Sequence, residues 1–106
     1  MKKIIMSLGM LLVLSVTVLA QEKPEWTTKT YWADGDIVYG VGKAPKMMNS
    51  SLQRSTAENR ARAATLKAVG LASATLRGSE IVEIWQASDG TIYALARVPK
   101  AGIEPN

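Results

Sequence analysis

The chain has 106 residues, with 13 Lys and Arg against 9 Asp and Glu, a formal charge of +4, and no cysteine, histidine or phenylalanine. That length accommodates one small domain, and the missing residue types exclude a thiolate nucleophile, a disulfide, a Ser-His-Asp triad and a zinc centre held by His or Cys. No cofactor or metal is expected, and the residues that remain assemble no carboxylate- or lysine-based catalytic site, so the sequence points away from an enzyme.

Residues 1–20 have the three-part design of a secretory signal peptide. Lys2 and Lys3 make a positive start, Ile4 to Ala20 carries no charge, and Val18-Leu19-Ala20 precedes the polar Gln21-Glu22-Lys23. Cleavage is expected between Ala20 and Gln21. A retained amino-terminal membrane anchor is the alternative, because the apolar stretch falls only slightly short of the ~20 residues that cross a bilayer; the basic start and small-residue end favour cleavage. Removing the leader takes away Lys2 and Lys3 and no acid, leaving 86 residues with a charge of +2. A chain of that size buries only about 60–65% of its unfolded surface and has neither disulfide nor metal to compensate. Marginal stability, or stability shared with a partner, is expected.

Residues 21–30 are polar except for Pro24 and Trp26 and read as an arm. Tyr31 to Gly42 (YWADGDIVYGVG) follows, with a turn at Asp34-Gly35 and the β-branched and aromatic content of a strand in Ile37-Val38-Tyr39. Lys43 to Asn49 is a loop, and Asn49, Ser50 and Ser51 are three candidate N-caps for a helix. From Leu52 to Val69 there is no Pro or Gly, and Ala57, Ala61, Ala64 and Ala68 recur at spacings that line one helix face. Gly70 is the stop signal. Leu71 to Arg77 is compatible with either a helix extension or a strand. Glu80 to Gln86 (EIVEIWQ) and Thr91 to Val98 (TIYALARV) then form a β-hairpin across Asp89-Gly90, and residues 99–106 are a tail. WADGDIVYGVG and WQASDGTIYALA share a Trp, an Asp-Gly turn, an aliphatic residue and a Tyr, a weak echo that does not amount to a repeat architecture.

These elements predict an α+β domain over residues 31–98 of order β-α-β-β, one Ala-rich helix on a three-stranded antiparallel or mixed sheet. Pro24-x-Trp26, Tyr39-Gly40-Val41-Gly42, AENRAR from Ala57 to Arg62, and Trp85 followed by Asp89-Gly90-Thr91-Ile92-Tyr93-Ala94-Leu95-Ala96 resemble, in order and spacing, the twenty-kilodalton LPP-type lipoprotein family of bacterial envelopes. Two departures stand out: Gln21 occupies the position of the lipidated cysteine, and the stretch between helix and final hairpin is shorter than in family members. The resemblance implies an exported envelope protein, sometimes associated with the outer membrane or surface structures, and no catalytic residues.

Several motifs have plainer uses than the sites they suggest. Gly40-Val41-Gly42-Lys43 lacks both the third glycine of a dinucleotide fingerprint and the Ser or Thr of a Walker loop; its glycines fit a close helix-on-strand approach. Asp34 and Asp36 suggest calcium, but Pro45 stands where an EF-hand needs glutamate. Asn49-Ser50-Ser51 matches a glycosylation acceptor yet serves as a helix cap. Glu80 and Glu83 have opposite parity on a strand, which points them to different faces and makes a poor glycosidase dyad. Two surfaces remain. The strand face bearing Tyr39, Val41, Tyr93 and Leu95, with Trp85 added if its register allows, is the candidate interaction face, to be covered by the arm through Trp26, Tyr31 and Trp32 or by a partner. Arg54, Arg60, Arg62 and Lys67 are candidate surface-binding residues. The expected role is a non-enzymatic binding or structural module of the periplasm or outer envelope, whose partner is another envelope protein or a second copy; a peripheral membrane or cell-wall binder is the alternative, and nucleic acid is not expected.

Overall fold

The computed structural model describes residues 22–106. The leader and its expected cleavage point at Ala20 and Gln21 lie outside the described residues. Asn49 starts the helix: its side-chain oxygen accepts the Leu52 amide at 3.0 Å, and α1 runs from Ser50 to Ala68. Gly70 ends it at φ 73°, with the Gly70 amide on the Lys67 carbonyl and the Leu71 amide on the Leu66 carbonyl. That pair of bonds is the Schellman closure, which a left-handed glycine makes accessible.

Six strands accompany the helix: β1 (Tyr31–Asp34), β2 (Ile37–Ala44), β3 (Ala74–Leu76), β4 (Glu80–Gln86), β5 (Ile92–Pro99) and β6 (Ile103–Pro105). The main sheet has four strands in the order β1-β2-β5-β4, every neighbouring pair antiparallel, and β3 pairs with β6 in a separate two-stranded sheet. The fold is α+β as expected, but the main sheet has one strand more than expected. Tyr31–Asp34 forms a hairpin with β2 across Gly35, at φ 64°. The tail is not free either: Ile103–Pro105 lies against β3, and the Arg77 amide donates to the Gly102 carbonyl at 2.7 Å.

Helix and sheet meet through small residues. Val38, Gly40, Gly42 and Ala44 on β2 face Val98, Ala96, Ala94 and Ile92 on β5, and all eight are buried beneath α1 with Ala57, Ala61 and Ala64. A methyl group at Gly40 would sit 2.9 Å from the Ala64 methyl and 2.7 Å from the Thr65 amide nitrogen; one at Gly42 would meet the backbone of Ala57, Arg60 and Ala61. The helix thus runs antiparallel to β2 and rests almost on its backbone, as the paired glycines and the alanine spacing predicted. Gln53, 3% exposed, fixes the amino-terminal end of this contact by donating to the carbonyls of Ala44 (3.2 Å) and Gly90 (2.7 Å).

Strand β4 carries a bulge. Its register slips between Ile81 and Glu83, leaving Val82 out of the ladder and 44% exposed. The extra residue reverses side-chain parity beyond it. Glu80 and Glu83, opposite Arg97 and Leu95 respectively, therefore point to the same face, which corrects the simple alternation expected from sequence. Glu80 Oε1 accepts from Arg97 Nε at 2.7 Å, and this bond and the carboxylate charge raise the Arg97 pKa further above its ordinary value. Glu80 is thereby engaged in an exposed ion pair.

Candidate functional site

The face of the sheet opposite α1 gathers every residue of the candidate interaction surface. Cross-strand pairing places Tyr39 opposite Arg97, Val41 opposite Leu95, Lys43 opposite Tyr93, and Trp85 opposite Tyr93 from the other side. Trp32 joins them, stacked on Tyr39 at 4.8 Å between ring centroids, while Trp85 and Tyr93 are tilted at 5.6 Å. The two hairpins are related about the Val41–Leu95 pair: each contributes one Trp–Tyr cross-strand pair, and each Tyr faces a cation on the other hairpin's inner strand. The sequence echo around the two tryptophans has this geometry as its counterpart.

The arm covers part of that face. Its 3-10 turn, Glu25–Thr28, lies against β5, the Thr30 carbonyl accepts the Val41 amide at 2.9 Å, and Lys23 Nζ sits 5.9 Å from the centroid of Tyr93. Leu95 is accordingly only 6% exposed, whereas Trp32, Tyr39, Trp85 and Tyr93 remain half-buried. Of the three arm aromatics expected to provide the cover, Trp26 lies in the turn; Tyr31 and Trp32 belong to β1, and Tyr31 is exposed. The indole Nε1 of Trp26 is buried with no hydrogen-bond partner among the described residues. Trp26→Ala is expected to cost about 2 kcal/mol by uncovering the sheet. Trp26→Phe, which keeps the ring and removes the unsatisfied donor, should leave stability nearly unchanged; urea midpoints of the two variants check this, and equal losses would contradict it.

The four basic helix residues do not share a surface. Arg54 pairs with Glu58 at 3.1 Å and Arg62 donates to Asn59 Oδ1 at 3.1 Å, whereas Arg60 and Lys67, about two helical turns apart on the same flank, border one hollow. This hollow opens where β1 ends. Beyond the Thr30–Val41 bond, β2 has no neighbouring strand on that side among the described residues, and Arg60 Nη1 reaches the Lys43 carbonyl there at 2.9 Å. The hollow has a volume of about 360 Å³ and a mainly apolar floor that includes Val41, Ala63 and Ala64. Two adjoining hollows of about 200 and 290 Å³ share Lys43 and Tyr93; the smaller is bordered by Lys29, the larger by Arg60 and Asp89. Asp89 is already engaged: it accepts the Thr91 amide at 2.9 Å, and that bond is the main cause holding its pKa below the usual carboxylate value.

Lys43 and Lys29 are the residues that sequence reasoning missed. The available signal was the parity of Lys43, which follows Tyr39 and Val41 onto the arm-side face, but its position at an opening depends on β1 stopping short. The remaining motifs have structural uses. Gly40 and Gly42 admit the helix, Asn49 caps it, and Asp34 and Asp36 flank the β1–β2 turn, where the Asp36 carbonyl accepts the Lys100 amide at 2.8 Å. No family model matches the chain, and comparison with curated proteins and with solved structures gave no match.

Proposed function

We propose that the chain is an exported, non-enzymatic binding module of the bacterial cell envelope. The observation that carries this reading is the sheet face opposite α1, where two Trp–Tyr pairs remain half-exposed after the arm has covered Leu95. Aromatic side chains that are apolar in body and polar at the tip suit a protein interface. The design of residues 1–20 and the likeness to the LPP-type envelope family supply the address. On this reading the partner is another envelope protein or a second copy of the chain.

Sedimentation of the protein, alone and with envelope extracts, is the test, with the mass of the recovered chain reporting loss of residues 1–20. A complex that Trp85→Ala abolishes is the expected result. A monomer that binds nothing in any fraction, or a chain that keeps its leader and stays in the cytoplasm, would overturn the proposal. A second reading, a peripheral membrane or cell-wall binder, is favoured by one separate observation: Lys43, Arg60 and Lys67 border a single opening with an apolar floor.

A further inference from the structure

The opening beside β2 combines two features that seldom serve the same structural purpose. Lysine at an exposed strand edge discourages edge-to-edge pairing, and that accounts for Lys43 alone. It does not account for Arg60 and Lys67 approaching the same hollow from α1; Lys29, which borders the adjoining one, already lies over the Trp32 ring at 4.7 Å. Four cations thus border three hollows that share lining residues, against one lining carboxylate, Asp89, which stays ionised while it accepts the Thr91 amide. Glu22 and Glu25 belong to the arm but border none of these three hollows.

The described ion pairs lie away from this opening. Glu80 and Glu83 lie on β4, the edge strand at the far side, with Arg97 committed to Glu80, and Glu104 on β6 is committed to Arg77. The cations at the β2 opening have no such carboxylate partners among the described ion pairs. An anionic group that reaches the β2 opening therefore meets cations that no described ion pair engages.

We propose that this opening is a docking site for an anionic phospholipid headgroup at a bilayer surface, a proposal that rests on the membrane-binding reading and gives it a specific site. Arg60, held by the Lys43 carbonyl, and the flexible amines of Lys43 and Lys67 receive the phosphate. Val41, Ala63 and Ala64 accept the adjoining glycerol and first methylenes, and Tyr93, apolar in body and polar at its tip, borders the adjoining hollow. A soluble phosphate has no use for the apolar floor.

The test measures partitioning of the protein, as purified from the producing cell, onto phosphatidylcholine vesicles with and without phosphatidylglycerol, at low and high salt. Attraction should depend on phosphatidylglycerol and fall as salt rises. Lys43→Gln with Lys67→Gln should weaken binding roughly thirtyfold, about fivefold for each cation brought to the surface. Arg54→Gln with Arg62→Gln removes the same charge from the other flank and should change binding less than about threefold. Circular dichroism verifies folding, and should the double variant fail to fold, Lys67→Gln alone is expected to show its fivefold share. Equal losses for the two pairs would reduce the effect to net charge and overturn the proposal. Absence of vesicle binding would overturn it too, including the case in which inorganic phosphate alone shifts the amide resonances around Lys43. Failure of the envelope reading is seen separately, as a retained leader and a cytoplasmic chain.

Discussion

Gly42→Ala is expected to lower the thermal midpoint by roughly 12–24 °C. The added carbon meets the backbone of Ala57, Arg60 and Ala61, not the end of a movable side chain. Relief therefore requires α1 as a whole to lift from β2, which separates Ala57 and Ala61 from Ala94 and Ala96 in the same core. Overpacking a close-packed core typically costs 1–3 kcal/mol and more when backbone must move; about 3 kcal/mol corresponds to that midpoint shift in a domain of this size. Gly35→Ala is the contrasting case. Gly35 has φ 64° and nothing within 4 Å of an added methyl, so its cost is the left-handed backbone alone, about 1–2 kcal/mol. Thermal unfolding followed by circular dichroism ranks the two. If Gly42→Ala were the milder change, the close approach of helix and sheet would be wrong.

The features read correctly from sequence are those that local chemistry determines. Asn49, the alanine spacing and Gly70 specify where α1 begins, which face it buries and where it stops. Gly40 and Gly42 share the parity of Val38, so their role in admitting the helix followed from alternation and from the small residues on α1. What escaped detection depended on distant partners. Tyr31–Asp34 is only four residues long and largely exposed, and becomes a strand by folding back on β2. Strand β6 is three residues long, as is β3, which lies in the stretch Leu71 to Arg77 that the sequence left open between helix and strand; neither has a pattern until the other is beside it. The bulge at Val82 brought Glu80 and Glu83 to one face although no glycine or proline stands at that position, Gly78 lying four residues before it. The basic set on α1 divided because a run of cations along a helix states how they are spaced, whereas the position of the sheet beneath decides which flank each one occupies. Lys43 gained its place in the candidate site through the shortness of its neighbour, β1.

Gln53 is the second position where a single side chain is expected to dominate stability. Its amide joins three elements, the first turns of α1, the end of β2 and the β4–β5 turn, by donating to the carbonyls of Ala44 and Gly90 from a site 3% exposed. Gln53→Leu preserves much of the volume and removes both donors, at an expected cost of about 2–3 kcal/mol. Gln53→Glu should cost more at neutral pH, about 3–5 kcal/mol, because a buried carboxylate then faces two carbonyl oxygens and no donor. Protonation restores a donor, so the introduced carboxyl has a folded-state pKa raised above its unfolded value of about 4.3. The folded state therefore binds the proton more tightly than the unfolded state. Relative to wild type, the variant is least impaired below about pH 4 and loses stability as pH rises through the folded-state pKa. Asp89 has the opposite sign, since its lowered pKa stabilises the fold above the unfolded value and this contribution is lost on acidification. Comparison with wild type at each pH cancels that background. Urea midpoints at acid and neutral pH should show the Gln53→Glu deficit widening as pH rises while the Gln53→Leu deficit stays constant. A pH-independent deficit in both variants would mean that the Gln53 amide does not donate to those carbonyls.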